Sequence, residues 1–334
     1  MKQHVIVTGG AGYIGSHAAK ALAQAGFIPV TYDNLSTGNR FAVRWGPLED
    51  GDILDATRLD AVFAKYRPVG VLHFAALSVV SESVNKPHLY HRVNVGGSFS
   101  VMDAARRHGN VPFVLSSTCA VYGAPASAMI DERTATNPIS PYGATKLEAE
   151  KLVAAMAATD GLPAMVLRYF NAAGADPEGE IGECRDHETH LIPRLLAVAA
   201  GEQDAISVFG TDYDTADGTA VRDYIHVSDL AAAHVAALRH LLAGGIGETL
   251  NLGTGHGISV GALIAAAERV SGRTIRVQRA ERRPGDPPAL IADTARASAL
   301  LPAPRLSSVD TILQTAWRWQ KASTAFRRPR QAAG

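Results

Sequence analysis

The sequence predicts an α/β protein, a Rossmann-type doubly wound parallel sheet with a smaller α/β domain attached. Three observations carry this. A β-branched run, His4-Val5-Ile6-Val7-Thr8, enters a glycine cluster and leaves it as a helix. Apolar strand-like runs then alternate with helical stretches to about residue 170, the pattern of a parallel sheet. Beyond that point the alternation breaks into polar, turn-rich loops around shorter elements. The boundaries this suggests are 1–170 for the first domain, joined again by about 222–253. The second takes 171–334, mainly about 171–221 and 254–325.

Length and composition bound the rest. A chain of 334 residues suggests about two domains, and 47% hydrophobic content allows a sizeable core. Acidic and basic residues number 32 each, so net charge argues for neither nucleic acid nor a membrane surface as partner. Two cysteines, Cys119 and Cys184, make no disulfide framework and have no metal-ligand spacing, so no metal site is expected. A strand beginning at His4 leaves no room for a signal peptide, and no apolar run is long enough to span a bilayer. The expected location is the cytoplasm.

The glycines fit two spacings at once, Gly9-x-x-Gly12-x-x-Gly15 and Gly10-x-Gly12-x-x-Gly15. One glycine permits the tight turn, one lets a pyrophosphate touch bare backbone, and one lets strand and helix pack closely. The helix, expected over 16–26, then turns its positive N-terminal end to the phosphates. A second strand, 27–33, ends in Asp33, which lies 18 residues beyond Gly15. A nucleotide fold sets an acid there on the adenosine ribose, which favours NAD over NADP, although Arg40 stands close in sequence. Asp52 and Ile53 follow a short third strand, placed to meet an adenine amine and flank its ring.

A fourth strand, 70–76, finishes in Phe74-Ala75-Ala76, small enough for backbone to press on a cofactor. His73 inside it reads as a satisfied core histidine. The helix after Pro87 carries Asn94, whose buried amide needs either loop backbone or the cofactor as partner. The fifth strand, 112–115, runs into Ser116-Ser117-Thr118, hydroxyls at the strand end that faces the ligand crevice of an open parallel sheet.

Pro141-Tyr142-Gly143-Ala144-Thr145-Lys146 opens a long helix, 142–160, and puts Tyr142 and Lys146 on one face. A free phenol has a pKa of about 10, and a neighbouring ammonium lowers it. The pair is therefore suited to take a proton from an alcohol while hydride leaves for a nicotinamide, with Thr118 bonded to the same oxygen. Together with the glycines, Asp33, Asp52-Ile53, Asn94 and Ser117-Thr118, this pair resembles the extended short-chain dehydrogenase/reductase superfamily. That resemblance implies that Tyr13, Ile14, Asn34 and Tyr169 also line the NAD site.

The second half narrows the choice. A sixth strand, 162–167, leads to Arg168-Tyr169-Phe170-Asn171; 174–190 reads as a loop and 190–201 as a helix. A strand over 221–227, a helix over 229–242 and a strand over 248–253 that rejoins the sheet follow. The remainder reads as a helix over 258–271, a strand over 274–279 and a loop over 281–293. A nucleoside diphosphate needs forked cations and a flat apolar contact. Arg222 and Arg283 are the cationic candidates, Arg282 is as good as Arg283 on residue type, and Phe209 suits the base.

Nearly the whole chain is similar to the UDP-glucose 4-epimerase family. The matching runs include Thr8 to His17, Ser140 to Lys146, Arg168 to Asn171, Asp217-Gly218-Thr219, Val221 to Val227, Asn251 to Gly253 and Gly285-Asp286. The resemblance implies a firmly held NAD that is not consumed and a UDP-sugar substrate oxidised at C4, turned over and reduced on its other face. It implies that Tyr142 is the base, that Lys146 tunes it, and that Asn171, Arg222, Arg283 and Asp286 bind the UDP part. His190, Leu191 and Leu290 fall among the substrate positions. Three residues depart from the common bacterial pattern: Thr118 for serine, His190 for asparagine, and Leu290 where bulk limits the C2 substituent. UDP-pentoses, UDP-N-acetylhexosamines and UDP-glucuronate remain open alternatives, as does an inactive nucleotide-sensing scaffold. The family pairs through helices that here span about 87–109 and 142–160, which implies a homodimer.

Overall fold

A computed structural model describes residues 3–283, 285–301 and 306–323. The basic run 326–330, expected to be a solvated tail, lies outside the described residues. The first half holds β1 (His4–Thr8), α1 (Tyr13–Gln24), β2 (Ile28–Asp33), β3 (Leu48–Asp50), α2 (Ala56–Tyr66) and β4 (Gly70–His73). Next come α3 (Val80–Asn85), α4 (Pro87–Tyr90), a π-helical turn (His91–Gly96), α5 (Gly97–Arg107), β5 (Phe113–Thr118), β6 (Met129–Ile130), α6 (Pro141–Asp160) and β7 (Ala164–Tyr169). The second half holds β8 (Asn171–Ala173), α7 (Leu191–Ala199), β9 (Ile206–Phe209), β10 (Val221–His226), α8 (Val227–Leu242) and β11 (Thr249–Leu252). It ends with β12 (Gly257–Ser259), α9 (Val260–Ser271), β13 (Val277–Ala280), β14 (Ala289–Ala292), α10 (Ala295–Leu300) and α11 (Val309–Ala322).

Seven strands form one sheet in the order β11-β7-β5-β4-β1-β2-β3, every pair parallel. Helices cover both faces, so the strands bury both sides. Ile6, Val71, Phe113 and Leu115 pack on one face with Leu59, Phe63 and Val153. Their alternates Val5, Val7, Leu72 and Val114 pack on the other with Leu22, Leu230 and Leu238. From β1 the chain builds outward through β2 and β3, then returns to β1's other side as β4. Strand order therefore reverses between β1 and β4, and a crevice opens at their carboxyl ends.

The smaller unit is organised on β10. It pairs with β12 and β14, β14 pairs with β6, and β8 adds to β10. Helices α7, α9 and α11 bury Leu195, Leu196, Leu263, Ile312 and Leu313 together. The strand 221–226 thus lies in the small sheet, while α8 packs on the large sheet's core and β11 pairs β7. Among the described residues no helix is long and apolar enough to cross a membrane.

Several boundaries differ from the sequence reading. Helix α1 starts at Tyr13, because Gly12 already serves as its N-cap. The strand expected over 274–279 is 277–280, set by pairing with β9. The stretch 281–293 is not all loop: Ala289 and Leu290 pair with Val221 and Arg222, and Ile291 with Met129. Those partners lie far away in sequence, and nothing local announces them. Helix α11 is different: Ser308 caps it, Asp310 lies in its first turn and Ile312, Leu313, Ala316 and Trp319 share its buried face, local signals that the sequence reading did not take up.

Candidate active site

The crevice floor is the turn after β1. Gly9 has φ +69, and a Cβ there would lie 2.7 Å from the Ala75 nitrogen; one at Gly15 would lie 2.2 Å from the Gly9 oxygen. Only bare backbone lets the turn, α1 and the chain after β4 meet this closely. Ile14 packs into the core beneath the turn, and the Tyr13 hydroxyl donates to the Gly174 carbonyl at 2.7 Å. Asp33 is buried at the end of β2, accepting from Ala11 N at 3.0 Å and Leu35 N at 2.8 Å. Burial raises its pKa, and those two backbone donors oppose the shift. Beside it, Asn34 donates to Asp52 Oδ2 at 2.9 Å, which joins the rim of the crevice to the end of β3.

Two residues expected at the cofactor are also held by the protein itself. Ile53 is a core residue, 6% exposed, against the space where Gly97 has no side chain. Asn94, in the π-helical turn, accepts from Leu77 N and donates to Leu77 O and Thr145 Oγ1, so its partners are loop backbone and α6. It fixes the loop that continues from Phe74-Ala75-Ala76, where Phe74 N donates to Thr8 O at 3.0 Å. His73 is a satisfied core histidine, bonded to Thr8 and Ser98.

Ser140 caps α6 by accepting from Gly143 N, and Pro141 occupies the first turn, so the helix presents Tyr142 directly from its start. Thr118 acts on the Tyr142 phenol, drawing its pKa down, and accepts from Ala120 N at 3.1 Å. Strand alternation separates the three hydroxyls of β5. Ser116 bonds the Tyr169 hydroxyl, whereas Ser117 is fully buried and donates to Glu150 on α6. Ser117 therefore braces α6 and does not face the crevice as the sequence reading expects.

The electrostatics add a larger influence to the one the sequence names. Burial dominates both groups: it pushes Tyr142 up to about 12 and Lys146 down to about 8. Loss of water destabilises phenolate and ammonium alike. Thr118 and the charge of Arg185 pull Tyr142 back down, and Glu150 pulls Lys146 back up.

The second half brings the remaining candidates into two groups. Arg222 bonds Asp286 and, at 2.7 Å, the Val221 carbonyl. The Arg283 guanidinium lies 4.1 Å over the Phe209 ring. Arg282 is spent elsewhere, 2.7 Å from Asp212 and 4.3 Å over Tyr213, which separates two cations that sequence could not tell apart. Asn171 donates to the Asp223 carbonyl at 2.9 Å. Leu290 packs with Val121, Tyr122 and Phe170. Leu191 begins α7 after His190, whose Nδ1 lies 2.7 Å from Glu183.

Sequence reasoning missed the residues that hold this scaffold. Asp223, fully buried, accepts from Thr254 N, Gly255 N and Ala292 N and so ties β10 to the loop after β11 and to β14. Lys20 binds Asp176, Glu178 and Glu180, fastening the loop after β8 to α1. Glu183 gathers Arg185 and His190. The acid-rich composition of 174–190 was the available signal, but its partners lie on other elements.

The model of the NAD dependent epimerase/dehydratase family matches residues 5–253. A protein of Rhizobium leguminosarum bv. trifolii named UDP-glucose 4-epimerase is 49% identical over 319 residues, 96% of this chain and 98% of the relative. The crystal structure of UDP-glucose 4-epimerase from Brucella ovis in complex with NAD superposes with TM-score 0.92 at 52% identity, covering 94% of this chain and 97% of that one. A UDP-glucose-4-epimerase structure from Stenotrophomonas maltophila, with bound NAD and formylated UDP-arabinopyranose, gives TM-score 0.93 at 38% identity over 98% and 100%.

Proposed function

This chain belongs to the NAD dependent epimerase/dehydratase family, and from that premise we propose that it interconverts UDP-glucose and UDP-galactose. The observation that carries the chemistry is Tyr142, half-buried, with the buried Thr118 and Lys146 at the carboxyl edge of the sheet. The glycine turn fits a dinucleotide: bare Gly9 and Gly15 let the turn, α1 and the chain after β4 close together, and α1 opens there with no capping side chain, its backbone N–H groups free for a phosphate. Gly9, Gly12, Tyr13, Ile14 and Gly15 would hold the diphosphate, and Asp33 and Asn34 the adenosine ribose. Asp52 would reach the adenine. Phe74, Ala75, Ala76, Tyr169 and Lys146 would line the nicotinamide end.

When bound, oxidised NAD supplies the acceptor and later the donor of the C4 hydride, and a positive ring that favours the Tyr142 phenolate. Tyr142 takes the C4 hydroxyl proton, with Thr118 holding the same oxygen. The 4-keto sugar turns about its phosphate linkage, and Tyr142 returns the proton once the opposite face is reduced. Arg222, Arg283, Asp286 and Asn171 anchor the UDP part, with Phe209 against the uracil; His190, Leu191 and Leu290 bound the sugar. In this reading 1–170 with α8 and β11 is the NAD domain and the rest binds substrate.

We also propose a homodimer through the helices of 87–109 and 142–160. Phe99 on α5 is 48% exposed, and Val80 and Val84 on α3, which packs on α6, are exposed as well. Light scattering after gel filtration that gives a monomer at micromolar concentration would refute it. The function is tested by incubating purified protein, with no added cofactor, separately with UDP-galactose, UDP-N-acetylgalactosamine and UDP-arabinose. UDP-galactose should convert fastest to its C4 epimer. Turnover of the other two with none of UDP-galactose would overturn the assignment.

A further inference from the structure

Tyr142, Lys146 and Glu150 stand four residues apart along one face of α6. The Glu150 carboxylate is 6% exposed and held rigidly. Arg168 Nε lies 3.0 Å and 3.1 Å from its two oxygens, Arg168 Nη2 lies 2.5 Å from Oε2, and Ser117 donates to Oε1. Arg168 Nη1 in turn donates to the Tyr122 hydroxyl at 3.0 Å, which donates to Asn251 at 2.7 Å. The carboxylate is thereby fastened to β5, β7 and β11. Lys146, 3% exposed, has no hydrogen-bond or ion-pair partner among the described residues.

Other titratable groups surround this turn of α6. Glu82 and Tyr90 come from α3 and α4 and bond each other. His91 of the π-helical turn sits on Glu148. His73, Arg168 and Tyr169 come from the sheet, and Cys119 and Tyr122 from the turn after β5. Glu82 and Glu148 face solvent, which leaves Glu150 the one buried carboxylate in the group.

We propose that Glu150, pinned to the sheet by Arg168 and Ser117, is a positioning residue that keeps the Lys146 ammonium charged beside Tyr142. The proposal rests on the reading of Tyr142 and Lys146 as the catalytic pair. Burial outweighs every other influence on Lys146 and leaves it at about 8, and Glu150 is the charge that opposes that fall. Removing that charge lowers the pH at which the ammonium is lost, so activity fails sooner as pH rises.

Glu150→Gln leaves Arg168 buried and unpaired, which endangers folding. Removing Arg168 as well would take away a cation that opposes the Lys146 ammonium, so Glu150→Gln is measured beside Glu150→Asp, which keeps Arg168 paired and only draws the charge back. Two readouts are followed in parent and variants: the alkaline limb of kcat with UDP-galactose, and the pH titration of Lys146 Nζ by NMR in lysine-labelled protein, assigned with Lys146→Arg. Both should move to lower pH by about one unit in Glu150→Gln and by less in Glu150→Asp. Unchanged Lys146 titration in folded Glu150→Gln, or in Glu150→Asp should Glu150→Gln not fold, would overturn the proposal. Should the parent fail to turn over UDP-galactose, the function reading falls, while the NMR titration still decides the role of Glu150.

Discussion

Replacing Gly15 by alanine tests the nucleotide cradle through one atom. The added Cβ would fall 2.2 Å from the Gly9 carbonyl oxygen, 2.8 Å from its carbon and 2.9 Å from Gly10 Cα. All three are backbone atoms, so no side chain can rotate aside. Relief requires α1 to back away from the turn by about 1 Å, an overpacking that costs about 1–3 kcal/mol. A shift of that size at a site that positions reactants costs about 10²-fold in rate. Gly15→Ala should therefore melt earlier, release little or no NAD per chain on denaturation, and lose about 10²-fold in initial rate with UDP-galactose and no added cofactor. Gly26→Ala is the control. Its φ is +94 but nothing lies within 4 Å, so it should lose about 1 kcal/mol of stability and keep its NAD. A Gly15→Ala protein that releases as much NAD as the parent and turns over at the parent's rate would refute the reasoning.

Further outcomes are expected. Arg283→Ala removes the cation stacked on Phe209 and should raise KM for UDP-galactose about 10- to 100-fold, the loss of about 1.5–3 kcal/mol expected of a charge-assisted phosphate bond. Arg282→Ala, which breaks an exposed pair with Asp212 and a contact with the Tyr213 ring, should change KM by less than about threefold; equal effects in steady-state kinetics would contradict the assignment. Stability should fall in acid, because burial lowers His17 and His234 to about 4 and His73 to about 3. The unfolded chain binds these protons near pH 6.5, so their contribution is whole above about 6.5 and drains away as pH falls toward about 4. In urea melts, His234→Phe should make that fall shallower by up to about 1.4 kcal/mol per pH unit; an unaltered slope would count against it.

The first half of the fold was legible because its signals are local. The glycine turn, Asp33 and the Tyr142–Lys146 spacing lie within single strand–turn–helix stretches, and the structure sets each at the sheet's carboxyl edge. Most of what escaped depends on distant partners. Strand β14 exists because β10 and β6 flank it, and Asp223 matters because three backbone nitrogens from two other segments converge on it. Arg282 and Arg283 are alike as residue types and differ only in whether Asp212 or Phe209 lies opposite. Ser117 was misjudged by one step of strand alternation, which turns it to Glu150. The charge balance at Tyr142 could not be read either, since sequence names Lys146 as a neighbour but does not weigh it against burial.

The central claim is that the Tyr142 oxygen moves the C4 proton. The direct measurement is the turnover of UDP-galactose by Tyr142→Phe, with the NAD released from the same sample counted after denaturation. Removal of the base should lower kcat about 10² to 10⁴-fold while NAD stays at the parent's level. A variant with its NAD in place and a rate near the parent's would contradict the account.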